Sequence, residues 1–208
     1  MKIEDWGLIE YQSAVERQLA AVEAVSGGAE ELIVLCNHPP VVTLGRGSTP
    51  EDLIGWRGAT VETSRGGRAT YHGPSQIVIY PIVDLRRAQP ERDVHVFLRK
   101  LEDASVMCLR ETGLPDVEVR TAKVGELSLT GVWRGPKKIA SIGIAVRKWV
   151  TYHGVAINVL SDPSAFQGIR PCGFQTGVMT SVEAELGRAV DLSELKSMYG
   201  QIFAKALA

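Results

Sequence analysis

Two apolar, strand-length runs lie almost back to back in "KKIASIGIAVRKWVTYHGVAINV", residues 137–159. Only a short basic stretch separates them. A parallel pair would need a crossover of about a dozen residues, usually a helix. Strands this close must therefore pair antiparallel, and two or more strands over roughly residues 117–159 exclude a regular βαβ series.

The remaining periodicities supply helices. Val15, Leu19, Val22 and Val25 recur at helical spacing from Tyr11 onward, and Gly27-Gly28 stops that pattern. Val94, Phe97, Leu98, Leu101, Ser105 and Cys108 form a second stripe. Leu195, Met198, Ile202 and Ala206 form a third, preceded by box-like pairs Thr180/Glu183 and Asp191/Glu194. "ELIVLCNHPP" and "QIVIYPIVDL" read as buried strands, and the stretch after "VVTLGRGSTPEDL" up to about residue 70 as loop-rich. The expected fold is α+β, a mixed β-sheet backed by helices, in one domain spanning 1–208.

Charge and cysteine usage narrow the partners. Lys+Arg 23 against Asp+Glu 24 gives a net charge of -1, which favours neither nucleic acid nor an anionic membrane. The N-terminal "MKIEDWGLIE" lacks a secretory pattern, and no apolar run reaches membrane-span length. Three cysteines, odd in number and far apart, make no disulfide framework; the expected compartment is the cytoplasm.

Cys36 sits in an apolar strand and Cys108 on an apolar helix stripe, so both read as packed thiols. Cys172 stands between Pro171 and Gly173, on a constrained loop that can present a thiol. A nucleophilic thiol needs a nearby base or cation. Simple alternation puts Lys138 with Ala140, Ile142, Ile144 and Val146 on one face. It puts Lys137 with Ile139, Ser141, Gly143, Ala145 and Arg147 on the other. Lys138 then begins an inward face. There it could take a thiol's proton, hold a thiolate as an ammonium, or reach past the strand end to water.

"SRGGRATYHGPSQ" interleaves Arg65 and Arg68 with Gly66, Gly67 and Gly73. Such a loop can bring backbone N–H groups close to an anion or oxyanion, or be a plain turn. It is no dinucleotide fingerprint and no P-loop. Thr-Tyr-His-Gly occurs at 70–73 and again at 151–154, with unrelated flanks, so it is no internal repeat. The two copies are then an accident of sequence or two walls of one site.

"RGGRATYHGPSQ", "KKIASIGIAVRKWVTYHGVAINV" and "RPCG", in this order and spacing, resemble the lipoyl(octanoyl) transferases. "NHPPVVTLGRG" resembles that family's early segment. The likeness covers residues from about 5 to 205. It implies the fold shared with biotin and lipoate ligases. It also implies transfer of octanoyl from octanoyl-acyl-carrier protein to a lysine on lipoyl domains of 2-oxoacid dehydrogenases and on the glycine-cleavage H protein. Cys172 falls on the family's acyl-thioester nucleophile, and Lys138 on the lysine that activates it. Arg65, Gly66, Gly67, Arg68, Ala69, Thr70, Tyr71 and His72 fall on one substrate-binding segment. Ser141, Ile142 and Gly143, and Gly154, Val155 and Ala156, fall on two more.

The thioester donor is already activated, so no ATP, metal or other cofactor is expected. Tyr71, Ile142, Val155 and Ala156 are expected to line an apolar acyl slot, and Arg46, Arg57, Arg65 and Arg68 to form a basic rim. Two positions depart from the family. Ser75 stands where glycine is usual, and Arg68 where glutamine is common. An ATP-dependent ligase shares the implied fold but needs no cysteine, and "RPCG" argues against it.

Overall fold

The computed structural model describes residues 1–88, 93–124, 127–171 and 176–208. Among these residues, ten strands form two sheets. They are β1 (Lys2–Leu8), β2 (Leu32–Asn37), β3 (Val41–Leu44), β4 (Ala59–Glu62), β5 (Thr70–His72), β6 (Gln76–Ile82), β7 (Val117–Val124), β8 (Leu127–Arg134), β9 (Lys137–Arg147) and β10 (Val150–Asn158). The large sheet runs β1-β2-β6-β10-β9-β8-β7, and the small one β4-β3-β5. In the large sheet β1 and β2 pair parallel, whereas β7 to β10 are antiparallel neighbours, as their short connections demand.

Three long helices cover the large sheet: α1 (Tyr11–Ser26), α2 (Val94–Glu111) and α3 (Leu192–Leu207). Alternation along each central strand separates two cores. Ile33, Leu35, Ile77, Ile79, Val155 and Ile157 face α2 and α3. Val34, Cys36, Val78, Tyr80, Tyr152 and Ala156 face α1. A third cluster, with Val42, Ala69, Tyr71, Phe166 and Ile169, fills the space under the small sheet.

The helices lie where expected, with their faces rotated. The buried stripe of α1 is Tyr11, Ala14, Gln18, Val22 and Val25, because a polar glutamine is turned inward towards β10. That of α3 centres on Leu195, Tyr199, Phe203 and Leu207, with Met198 and Ile202 at its margin. Asp191 caps α3 by accepting from the Ser193 and Glu194 N–H groups. The cap near residue 180 is Ser181, which accepts from Ala184 N; Thr180 instead donates to Glu185. The stretch read as loop holds β4, and β5 begins at its end; both strands are too short for a periodicity to show. No helix among the described residues is long and apolar enough to cross a membrane.

Candidate active site

On the α1 face, β9 and β10 leave a gap. Gly143 and Gly154 stand directly opposite each other, so no side chain fills that part of the sheet surface. The segment 65–67 lies over the gap: Gly66 N donates to Ile144 O at 3.4 Å, and a β-carbon on Gly143 would come within 3.3 Å of Gly66 O. Beneath it is a cleft of about 260 Å³. Arg65, Gly66, Gly67, Thr70, His72, Ser141, Ile142, Gly143, Gly154, Val155 and Ala156 all line it, so three segments distant in sequence meet there.

Arg68, Ala69 and Tyr71 lie elsewhere. Tyr71 alternates away from His72 and packs into the small-sheet core against Phe166 and Trp56, so it does not wall the slot. Ala69 joins the same cluster. Arg68 forms a 2.6 Å ion pair with the fully buried Asp52 and donates to Thr49 Oγ1.

The expected basic rim is therefore smaller. Arg65 is buried; it donates to Thr43 O and Thr43 Oγ1 at 2.8 and 2.7 Å, and to Arg68 O and Gly66 O at 2.9 and 3.1 Å. It braces the loop from inside. Of the four arginines, Arg46 and Arg57 are the exposed ones, and Arg46 reaches the cleft. Ser75, the other departure from the family pattern, donates to Asp162 at 3.2 Å.

Both Thr-Tyr-His-Gly stretches are strand segments that reach the cleft. The first is β5 and the second is central in β10. In a regular strand Tyr152 and His153 would point to opposite faces. His153 instead has φ 58°, and its ring lies 4.7 Å from that of Tyr152 on the same side. Its N–H donates to Gln18 Oε1 at 2.8 Å, which helps hold this costly conformation. Tyr152 Oη and His153 Nε2 both meet Ser64 Oγ, at 2.8 and 3.4 Å.

A ring cluster backs the cleft. Tyr11 stacks on His72 at 5.5 Å, and His38 meets His72 edge-on at 5.8 Å. His38 Nδ1 donates to Ile9 O, and its Nε2 accepts from Tyr80 Oη, both at 2.7 Å, which fixes one neutral tautomer. Burial pushes His38 down to about 4 and His153 down to about 3. His72 falls well below the usual imidazole range, through burial first and then through His38 and Arg65. All three rings are neutral at physiological pH, which suits support rather than proton shuttling. Tyr11, Val78 and Tyr80 also line the cleft and escaped the sequence reading. The signal for Tyr11 was its place at the first turn of a helix whose buried stripe it begins.

Lys138 is 1 % exposed, although it does not lie on the face that alternation assigned. Val132 pairs with Ala140, but Trp133 pairs with Lys138, so Ile139 is an extra residue in β9. This bulge sends both Ile139 and Ala140 into the α2/α3 core. Lys138 is thereby switched to the opposite face, with Trp133. There its side chain crosses Gly131, the neighbour of Ser141: a β-carbon at 131 would overlap Lys138 Cε and lie 3.1 Å from Nζ. Lys137 stays exposed and donates to Gly177 O. The Lys138 carbonyl accepts from Thr180 N at 3.0 Å, tying this strand to the segment after Cys172.

Cys172 itself lies outside the described residues. The other two thiols are free, and burial raises both far above the usual thiol range. No group of three or more His, Cys, Asp or Glu among the described residues could hold a metal ion.

Comparison with known proteins agrees with this architecture. The lipoyl protein ligase A/B catalytic domain matches residues 10–204. The octanoyltransferase of Bdellovibrio bacteriovorus is 46% identical over 204 residues, covering 93% of this chain and 92% of that one. The octanoyltransferase of Geobacter metallireducens is 41% identical over 198 residues, covering 94% and 88%. Among solved structures, a lipoate-protein ligase A bound with ATP superposes with a TM-score of 0.71 at 19% identity, over 99% of this chain and 85% of that one. A bipartite lipoate protein ligase from Thermoplasma acidophilum, studied with its E2 lipoyl domain, gives 0.66 at 20% identity, over 100% and 84%. At such identities the structures show a shared fold.

Proposed function

The chain belongs to the octanoyltransferases, within the lipoyl protein ligase A/B catalytic family, and on that premise we propose that it moves octanoyl from a carrier-protein thioester to a lysine of lipoyl domains through Cys172. The observation that supports this most is the setting of Lys138. A buried lysine is costly to hold. Here a bulge and a glycine together turn it onto the face of the sheet that carries Ser141 and Ala156, two residues of the cleft wall.

The reaction is ping-pong. The Cys172 proton passes to Lys138 Nζ, and the thiolate attacks the octanoyl carbonyl. The carrier thiolate leaves with that proton, so Lys138 stands neutral beside an octanoyl thioester on Cys172. The acceptor lysine amine then attacks. Its proton goes to Lys138 Nζ, the Cys172 thiolate is expelled, and the starting ion pair is restored. Backbone N–H groups of the glycine segments stabilise each tetrahedral oxyanion, and one such donor is worth about 10²–10³ in rate. The acyl chain lies in the cleft, and the two protein partners use its mouth in turn beside Arg46. The carrier donor, the lipoyl-domain acceptor of 2-oxoacid dehydrogenases or glycine-cleavage H protein, and the cytoplasmic setting belong to the same proposal, which the likeness to octanoyltransferases supports.

The test is direct. Incubation with octanoyl-carrier in the absence of ATP should place octanoyl on the Cys172 peptide by mass spectrometry. Cys172→Ser should abolish the adduct, and Lys138→Ala should slow its formation near neutral pH. Absence of an adduct, with acyl transfer only on adding ATP and free octanoate, would overturn the reading in favour of a ligase.

A further inference from the structure

The pairing registers place five small or medium side chains in one transverse row. Gly131 pairs with Ser141, Ser141 with Ala156, Ala156 with Val78, and Val78 with Cys36. Directly opposed residues of antiparallel strands point to the same face. Val78, Ala156 and Cys36 belong to the α1-side core, so the whole row lies on that face. Ser141, Ala156 and Val78 line the cleft, whereas Cys36 is fully buried behind its end. The row is a groove running across the strands. Its open part runs from Ser141 to Val78, and at Gly131, next to Ser141, the Lys138 side chain fills the row.

Adjacent strands are about 4.8 Å apart, so two steps from Ser141 to Val78 span about 10 Å. An extended octanoyl chain measures about 9 Å from carbonyl carbon to methyl, at the rise per bond of an extended backbone. A carbonyl held over Ser141, beside Lys138, therefore brings the terminal methyl to Val78. Beyond Val78 the groove is closed. Cys36 fills the next position, His38 Nε2 lies 3.5 Å from Cys36 Sγ, and Tyr80 hydrogen-bonds to the same nitrogen.

From this geometry we infer that Val78 is the acyl-length stop: it contacts the terminal methyl and sets the preference for eight carbons. The inference rests on the transferase reading and adds a specificity residue to it. Each methylene beyond the stop has no free space, and a well-packed wall resists overpacking.

Two opposite substitutions test it. Acylation of Cys172 is measured as kcat/KM with hexanoyl, octanoyl, decanoyl and dodecanoyl carrier thioesters. Val78→Ala shortens the stop by two methyl groups and should raise the decanoyl-to-octanoyl ratio about 15-fold, from roughly fourfold for each of the two methylenes accommodated. Val78→Ile extends the stop and should move the preference towards hexanoyl. Equal losses with every donor, or an unchanged ratio in both variants, would overturn the assignment while leaving the transferase reading intact. No adduct from any donor in the unsubstituted protein would remove that reading and this inference together.

Discussion

The side chain of Lys138 occupies the space in which Gly131 has no β-carbon. Two adjacent strands thus cooperate: one supplies the cation and the other the empty place that receives it. Gly131→Ala would force the ammonium aside or push the new methyl into the Ala140 carbonyl. A misplacement of about 1 Å costs on the order of 100-fold in rate. Gly131→Ala should therefore lower kcat for Cys172 acylation by about that factor and move its pH profile towards that of Lys138→Ala. KM for octanoyl-carrier should change less. An unaltered pH profile would show that Gly131 serves packing alone.

Stability should fall steeply in mild acid. His38, His72 and His153 stay neutral in the folded protein to well below their ordinary value of 6.5. The unfolded chain takes up protons at these rings as pH drops through about 6.5, and the folded chain does not until about 4 for His38 and about 3 for His153. Unfolding is thus favoured as pH falls, by up to about 1.4 kcal/mol per pH unit for each ring. Urea unfolding between pH 7 and 5 should show a slope approaching three protons, and His38→Gln should remove about one. A flat profile over that range would contradict the neutrality of the three buried rings.

Arg68 and Asp52 form a pair that should be removed together or not at all. Asp52 is fully buried and has Arg68 at 2.6 Å. Arg68→Gln leaves that carboxylate without its cation and should cost about 3 kcal/mol. Adding Asp52→Asn should recover most of the loss, as a double-mutant cycle by chemical denaturation would show. The arginine that departs from the family pattern is thereby explained by the carboxylate beneath it.

Gly154 has no room for any side chain, because a β-carbon there would strike the Ile79 carbonyl and Pro81 Cδ. Gly154→Ala should lower the melting temperature by several degrees, the equivalent of about 1–3 kcal/mol of overpacking. Gly66→Ala, where open space surrounds the position, should not.

The sequence carried the large-scale order well. Strands 137–147 and 150–158 announced themselves through length and proximity, and the helices through period. The place of Lys138 at the head of an inward run was legible, though that pattern equally allowed a reach past the strand end to water. Its true face was not, because alternation assumes one step per residue and β9 takes an extra one at Ile139. Tyr152 and His153 show the same limit, where a positive φ cancels a side change. Arg65 and Arg68 looked like surface charge, since pattern does not reveal the carbonyls and the carboxylate that hold them inside.

Ile139 makes residue number, rather than residue kind, the constraint on this strand. Replacing it with Val or Leu would keep the count and the geometry. Deleting it would bring β8 and β9 into step and leave Lys138 opposite Trp133, whereas one residue inserted into β8 opposite Ile139 would straighten β9 and rotate Lys138 among the aliphatic side chains under α2. The ammonium would then stand on the wrong side of a sheet whose hydrophobic content was almost unchanged. A stretch that looks permissive by composition is, by phase, intolerant of a single-codon gain.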